Sequence, residues 1–158
     1  MILLAACSKE APPKAAASNG MTLSSTAFVD GDGIPKQYGC SGAGTAPPLA
    51  FANVPPAAKS LALIVNDPDV PGGQFTHWAV WNIPPGGSVQ SGVQGKNSIG
   101  KNGWAPPCPP VGEHRYVFDL YALDTMVDVP QDKGRDDLEK AMAGHVVAQA
   151  SITGRYKR

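Results

Sequence analysis

Residues 60–83 read SLALIVNDPDVPGGQFTHWAVWNI, and this stretch decides the fold class. Ser60–Asn66 is a continuous apolar run, too short for a helix and bounded by turn residues, so it predicts a central strand buried on both faces. Asp67 precedes Pro68, whose ring keeps the residue before it out of the α region, so the chain leaves this strand extended. Gly72-Gly73 turns the chain, and His77–Ile83 predicts a second strand that Pro84-Pro85-Gly86-Gly87 stops.

Working outward, His114–Leu123 predicts a third strong strand, with Met21–Val29, Leu49–Phe51 and Ala148–Tyr156 as further ones. Asp30-Gly31-Asp32-Gly33 reads as a turn. From Pro84 to about Glu113 no periodicity is visible, and loops of that length in a compact domain are usually functional or disordered. Gly134–Val146 has Leu138, Ala141, Met142, His145 and Val146 at helical spacing, with Asp136 and Asp137 in the first turn where the helix dipole favours them. On that reading His145 is a packed core histidine, and Trp78, Trp81 and Trp104 are core or cavity wall.

The chain has 158 residues, enough for one domain, and its 18 Gly and 16 Pro point to a β-rich protein with many turns. Thirteen Lys+Arg balance thirteen Asp+Glu, which excludes electrostatically driven nucleic-acid binding. No stretch approaches the ~18 apolar residues that a membrane span needs. Leu4-Ala5-Ala6-Cys7 has the form of a bacterial lipobox, although no Lys or Arg precedes it and its apolar run is short. Residues 1–7 are therefore expected to be a truncated lipoprotein signal ending in a lipidated Cys7, 8–20 a disordered tether, and 21–158 the folded domain. The expected location is the bacterial envelope, anchored by lipid and facing the periplasm; a soluble periplasmic or cytoplasmic protein is the alternative. Cys40 and Cys108 are then either a disulfide pair or two separate thiols.

Strand alternation puts His114, Tyr116, Phe118, Leu120 and Ala122 on one face, and His77, Ala79, Trp81 and Ile83 on one face of the second strand. Each strand thus begins with a histidine on an otherwise apolar face. Asp67 can reach a histidine at the same edge. A carboxylate accepting from one imidazole nitrogen fixes the tautomer and favours the protonated form, leaving the other nitrogen as a donor. Two such histidines, the Tyr116 hydroxyl and backbone N–H groups of a Gly/Pro-rich loop would suit an oxyanion, above all phosphate. Asp67 then serves as an orienter of imidazole, His77 as a donor to the anion, and Asp69 mainly as a loop-former.

The motifs N-D-P-D-V-P (66–71), T-H-W-A-V-W-N-I-P (76–84), P-C-P-P (107–110), H-R-Y-V-F-D-L-Y-A-L-D (114–124) and A-M-A-G-H-V-V-A (141–148) resemble those of the phosphatidylethanolamine-binding protein family. Within it, the chain is most similar to the bacterial Raf kinase inhibitor-like branch. The resemblance implies a mainly β fold, a Greek-key type sandwich of two antiparallel sheets with a few short peripheral helices. It also implies an anion pocket lined by Asp67, His77, His114 and Tyr116, shaped by Asp69 and Pro71 on one side and Pro107, Pro109 and Pro110 on the other. Ala105-Pro106 stands where the branch usually has two glycines; Pro106 has no N–H to give an anion, and neither residue tolerates positive φ as glycine does.

The expected function is non-catalytic binding of a phosphate-like anion or phospholipid headgroup, with regulation of a partner kinase or protease as an extension. No cofactor is expected, and a homodimer is left open. A hydrolase using an Asp67–His77 base is an alternative, against which stands the absence of G-x-S-x-G, H-E-x-x-H, P-loop and C-x-x-C motifs. A metal site from Asp67, Asp69, His77 and His114 ranks last, because an Asp-Pro-Asp turn more often points its carboxylates apart.

Overall fold

The computed structural model describes residues 20–158, so Cys7, the signal-like segment and nearly all of the expected tether lie outside the described residues. The described chain forms two antiparallel sheets and one α-helix. Strands β1 (Thr22–Ser24) and β2 (Ala50–Ala52) make a small sheet. The large sheet contains β3 (Ser60–Asp67), β4 (Phe75–Ile83), β5 (Val93–Gln94), β6 (Glu113–Leu123) and β7 (Val146–Lys157) in the order β5-β4-β3-β6-β7. Short 3-10 turns occupy 36–38 and 89–91, and no helix of the described residues is long and apolar enough to cross a membrane.

The central position of β3 follows from its composition. Leu61, Leu63 and Val65 face one core together with Trp78, Val80, Phe118 and Leu120, while Ala62 and Ile64 face a second core with Ala79 and Trp81. Every one of these five β3 residues is at most 1% exposed, so both faces of the strand exclude water. The first core is closed by Leu23, Phe28 and Ile34 from the N-terminal segments. The second is closed by α1 (Arg135–Met142), which packs Leu138 and Met142, four residues apart on one stripe, against Trp81 and Ile64.

Three sequence expectations change here. The first strand is three residues long and does not extend to Val29, because Ser25 Oγ donates to Pro48 O and accepts from Ala27 N, turning the chain away. The helix ends at Met142 because Gly144 takes φ 81°, a left-handed conformation that stops propagation. His145 therefore lies outside the helix and is not a core residue: its half-exposed ring pairs with Asp124, Nδ1 to Oδ1 at 2.8 Å.

The third change concerns β4. Leu61 pairs with Ile83 but Leu63 with Val80, and Val65 pairs with Trp78 but Asn66 with Thr76, so β4 carries an extra residue at each of two β-bulges. Asn82 absorbs the first with φ 53°, a left-handed conformation that asparagine tolerates better than most residues. The second leaves His77 as the unpaired residue. Strict alternation, which groups His77 and Ile83 with Ala79 and Trp81, fails at both bulges: Ile83 enters the first core with Trp78, and His77 approaches Tyr116 on the face of that core.

The flanks of the large sheet near its His77/His114 end are occupied by loops. Along β7, Gly31 N donates to Thr153 O, Ile34 N to Arg155 O, and Arg155 N to Asp32 O. Along β4, Ser98 N donates to Thr76 O, and Ala105 N to His77 O.

Candidate functional site

At the end of the first core a cavity of about 390 Å³ opens between the sheet and residues 105–110. Its polar floor is Asp67 at the end of β3, His77 on the β4 bulge, and His114 and Tyr116 at the start of β6. Val70, Phe75, Ile99, Ala105, Pro106, Cys108, Pro109 and Pro110 complete the lining. The four residues expected at the site from the sequence are thus brought together, each at most 7% exposed.

Their pairing differs from the sequence expectation. Asp67 accepts from His114, Nδ1 to Oδ2 at 2.6 Å, and not from His77. Its second oxygen accepts from Asp69 N at 2.8 Å, an Asx turn through Pro68 that holds the carboxylate rigidly beside β6. His77 Nδ1 instead donates to Ala105 O at 2.6 Å, while Ala105 N donates back to His77 O at 2.7 Å. The reason is positional: β6 runs antiparallel to β3 with regular register, so His114 arrives beside Asp67, whereas the bulge turns His77 toward the facing loop.

Burial pushes the His77 imidazole below its ordinary value of 6.5, outweighing the Ala105 carbonyl and the Asp67 charge, which act the other way. His77 is therefore neutral at pH 7, with its proton on Nδ1. Its ring packs between Phe75 at 4.6 Å and the edge of Tyr116 at 5.0 Å. Burial first, and the Asp67 charge second, push the Tyr116 phenol up, so the hydroxyl keeps its proton. Among the described residues, that hydroxyl is the single buried side-chain polar atom without a hydrogen-bond partner.

The remaining expected residues divide. Pro109 and Pro110 line the cavity, but Pro71 sits in the exposed turn beyond Val70, and Pro107 is not part of the lining, its carbonyl accepting from Cys40 N at 2.9 Å. Asp69 is bound to Arg115, whose guanidinium holds the carboxyl down at about 2, with Nη2 to Oδ1 at 2.7 Å. Asp67 and Asp69 thus grip successive residues of β6, His114 and Arg115, whose side chains point to opposite faces. This separation removes Asp69 from any shared metal site, and among the described residues no three His, Cys, Asp or Glu side chains are grouped to hold a metal ion.

Cys40 and Cys108 form a disulfide, Cα atoms 5.3 Å apart, that ties the cavity wall to the segment after the first 3-10 turn. Pro106 also packs on that segment: a Cβ on Gly44, which takes φ 70°, would come within 2.9 Å of its ring. The wall is poor in donors, because Pro106, Pro109 and Pro110 have no N–H and that of Ala105 is committed to β4. Sequence reasoning missed Phe75, Val70 and Ile99, which give the mouth its apolar character; Phe75 carried a signal, lying two residues before His77 in the same strand.

A family model described as phosphatidylethanolamine-binding protein matches residues 24–157. The chain is 45% identical over 150 residues to a UPF0098 protein of Methanothermobacter thermautotrophicus, covering 87% of this chain and 99% of the relative. It is 44% identical to a UPF0098 protein of Chlamydia muridarum, with the same coverage of both. Among solved structures it is similar to a putative phosphatidylethanolamine-binding protein homolog of Chlamydia trachomatis, with TM-score 0.84 and 44% identity over 89% of this chain and 99% of that one. It also resembles Escherichia coli YbcL, described as a member of the mammalian family, with TM-score 0.78 and 28% identity over 87% and 98% of the two chains.

Proposed function

Because this chain belongs to the phosphatidylethanolamine-binding protein family, we propose that its cavity binds a phosphate-like anion, free or on a lipid headgroup, without catalysing a reaction on it. The observation that carries this reading is the unpartnered hydroxyl of Tyr116 beside two histidines whose Nδ1 atoms are both engaged. A buried hydroxyl without a partner costs about 1–3 kcal/mol, which a ligand oxygen would recover. His114 spends Nδ1–H on Asp67, which leaves Nε2 for a ligand; doubly protonated, the ring would offer Nε2–H and, with the Tyr116 hydroxyl, hold an anion oxygen between two donors. Phe75, Val70 and Ile99 accommodate an apolar substituent.

Hydrolysis is disfavoured by the geometry. The Asp67–His77 base of the alternative reading is not formed, and neither a serine nor a free cysteine lines the cavity. Regulation of a partner protein follows as a proposal if ligand and partner compete for the mouth.

Isothermal titration of the full chain with O-phosphoethanolamine tests the reading. His114→Ala is expected to weaken binding about 10- to 100-fold, the worth of one charge-assisted hydrogen bond. Equal binding by His114→Ala, or none by the native protein, would refute it. We further propose acylation of Cys7, for which intact mass of protein from a bacterial membrane fraction is the test; an unmodified terminus speaks against it.

A further inference from the structure

The cavity has an unusual balance of hydrogen-bonding groups for an anion site. Three of its wall residues are prolines and the Ala105 amide is bonded to β4, so the wall contributes few donors. On the floor, the short bond from His77 Nδ1 to Ala105 O requires the proton to be on that nitrogen, because a carbonyl can only accept. Nε2 is then the nitrogen a ligand meets, and in the neutral ring it is a lone pair. The adjoining Asp67 carboxylate adds acceptors and no donor: Oδ2 is bonded to His114 and Oδ1 to Asp69 N. An oxyanion without a proton of its own would face the His77 lone pair with no hydrogen bond between them.

We propose that the site selects ligands that bring an acidic proton, the monoanion of a phosphomonoester or of inorganic phosphate, over permanent monoanions such as phosphodiesters and sulfate esters. The ligand P–OH donates to His77 Nε2, while its charged oxygens accept from Tyr116 and from His114. This rests on the anion reading above and deepens it: the geometry favours a terminal phosphate over the diester of an intact phosphatidylethanolamine headgroup.

The groups facing His77 are consistent with a neutral ring. From β3 comes Asp67, from β6 come His114 and Tyr116, and from the wall come the Ala105 carbonyl and the uncharged Trp104 ring. The charges of Asp69 and Arg115 satisfy each other to the side. Burial acts against charging His77 more strongly than Asp67 promotes it.

The test compares phenyl phosphate, methyl phenyl phosphate and phenyl sulfate by isothermal titration of the full-length protein. At pH 6 all three are available as monoanions of similar size, and only phenyl phosphate retains a proton, since second ionisations of phosphomonoesters fall near 6. Phenyl phosphate is expected to bind about tenfold or more tightly than the other two. Raising the pH to 8 should weaken it by a further ~50-fold as the monoanion disappears, leaving the other two unchanged. Vesicles of phosphatidic acid should retain the protein at pH 6 better than vesicles of phosphatidylethanolamine. Equal affinities for all three soluble ligands would overturn this inference and leave the anion reading intact. Binding of none would remove both.

Discussion

Strands β4 and β6 flank the same central strand and each delivers a histidine to the same cavity, by opposite means. β6 keeps register with β3 from Ser60↔Leu123 to Asn66↔Val117, and His114 meets a carboxylate from its own sheet. β4 breaks register twice, and His77 meets a carbonyl from a loop that a disulfide holds in place. A regular strand fixes a side chain through its neighbours in the ladder; a bulged one re-aims it and then depends on whatever it is aimed at. The two imidazoles consequently differ in partner, a carboxylate for His114 and a carbonyl for His77.

The largest difference should come from loosening the loop on the β4 side. Cys108→Ser opens a cross-link spanning 68 residues and is expected to cost about 4 kcal/mol in urea unfolding on the chain-entropy account. In nitrogen-15 spectra of the imidazoles, His77 should change and His114 remain. On the β6 side, Asp67→Ala removes one member of a buried pair and is expected to cost about 3 kcal/mol, with the pattern of spectral change reversed. If either variant moved both histidines alike, the two supports would not be independent.

A smaller effect isolates a bulge itself. Asn82→Val places a β-branched residue at φ 53° and deletes the paired bonds to Val127, Nδ2 to O and Oδ1 from N, both at 2.9 Å. About 2 kcal/mol of destabilisation is expected, against about 1 for Asn82→Gly, which keeps the conformation and loses only the side chain. Similar losses for the two would mean that the left-handed backbone is not what the position demands.

The smallest effect is a pH dependence. Because burial lowers the folded-state value of His77, the unfolded chain takes up the proton first as the pH falls. Stability is intact above 6.5 and declines below it, until the folded ring also protonates. His77→Phe should shallow this decline in thermal melts between pH 7 and 5, and an unchanged slope would place the titration elsewhere.

How far the sequence carried these conclusions differs between the same two strands. An apolar run such as SLALIVN and the alternation of HRYVFDLYAL specify burial directly, so the centre of the sheet and the His114–Tyr116 edge could be read from them. The mainly β fold of two antiparallel sheets was likewise reached from motifs. Bulges add a residue without changing the apolar character of WAVW, so nothing in hydrophobic pattern alone disclosed that His77 changes face. The asparagine between Trp81 and Ile83 was the one local hint, since asparagine tolerates positive φ. His145 misled because its apolar spacing continued past Gly144, whose conformation overrode it. Which imidazole Asp67 would meet depended on register between strands far apart in sequence, which residue types do not encode.

The loops stitched along both flanks of the large sheet have a consequence for recognition. Near the cavity, the outward groups of Thr153, Arg155, Thr76 and His77 are already bonded within the chain. A visiting polypeptide therefore finds no vacant main-chain ladder to extend at this end, and the surface is guarded against edge-to-edge association as well. On the proposed reading, a protein docking there would have to read side chains and the contents of the cavity, and occupancy by a small ligand would then bear on whether it docks.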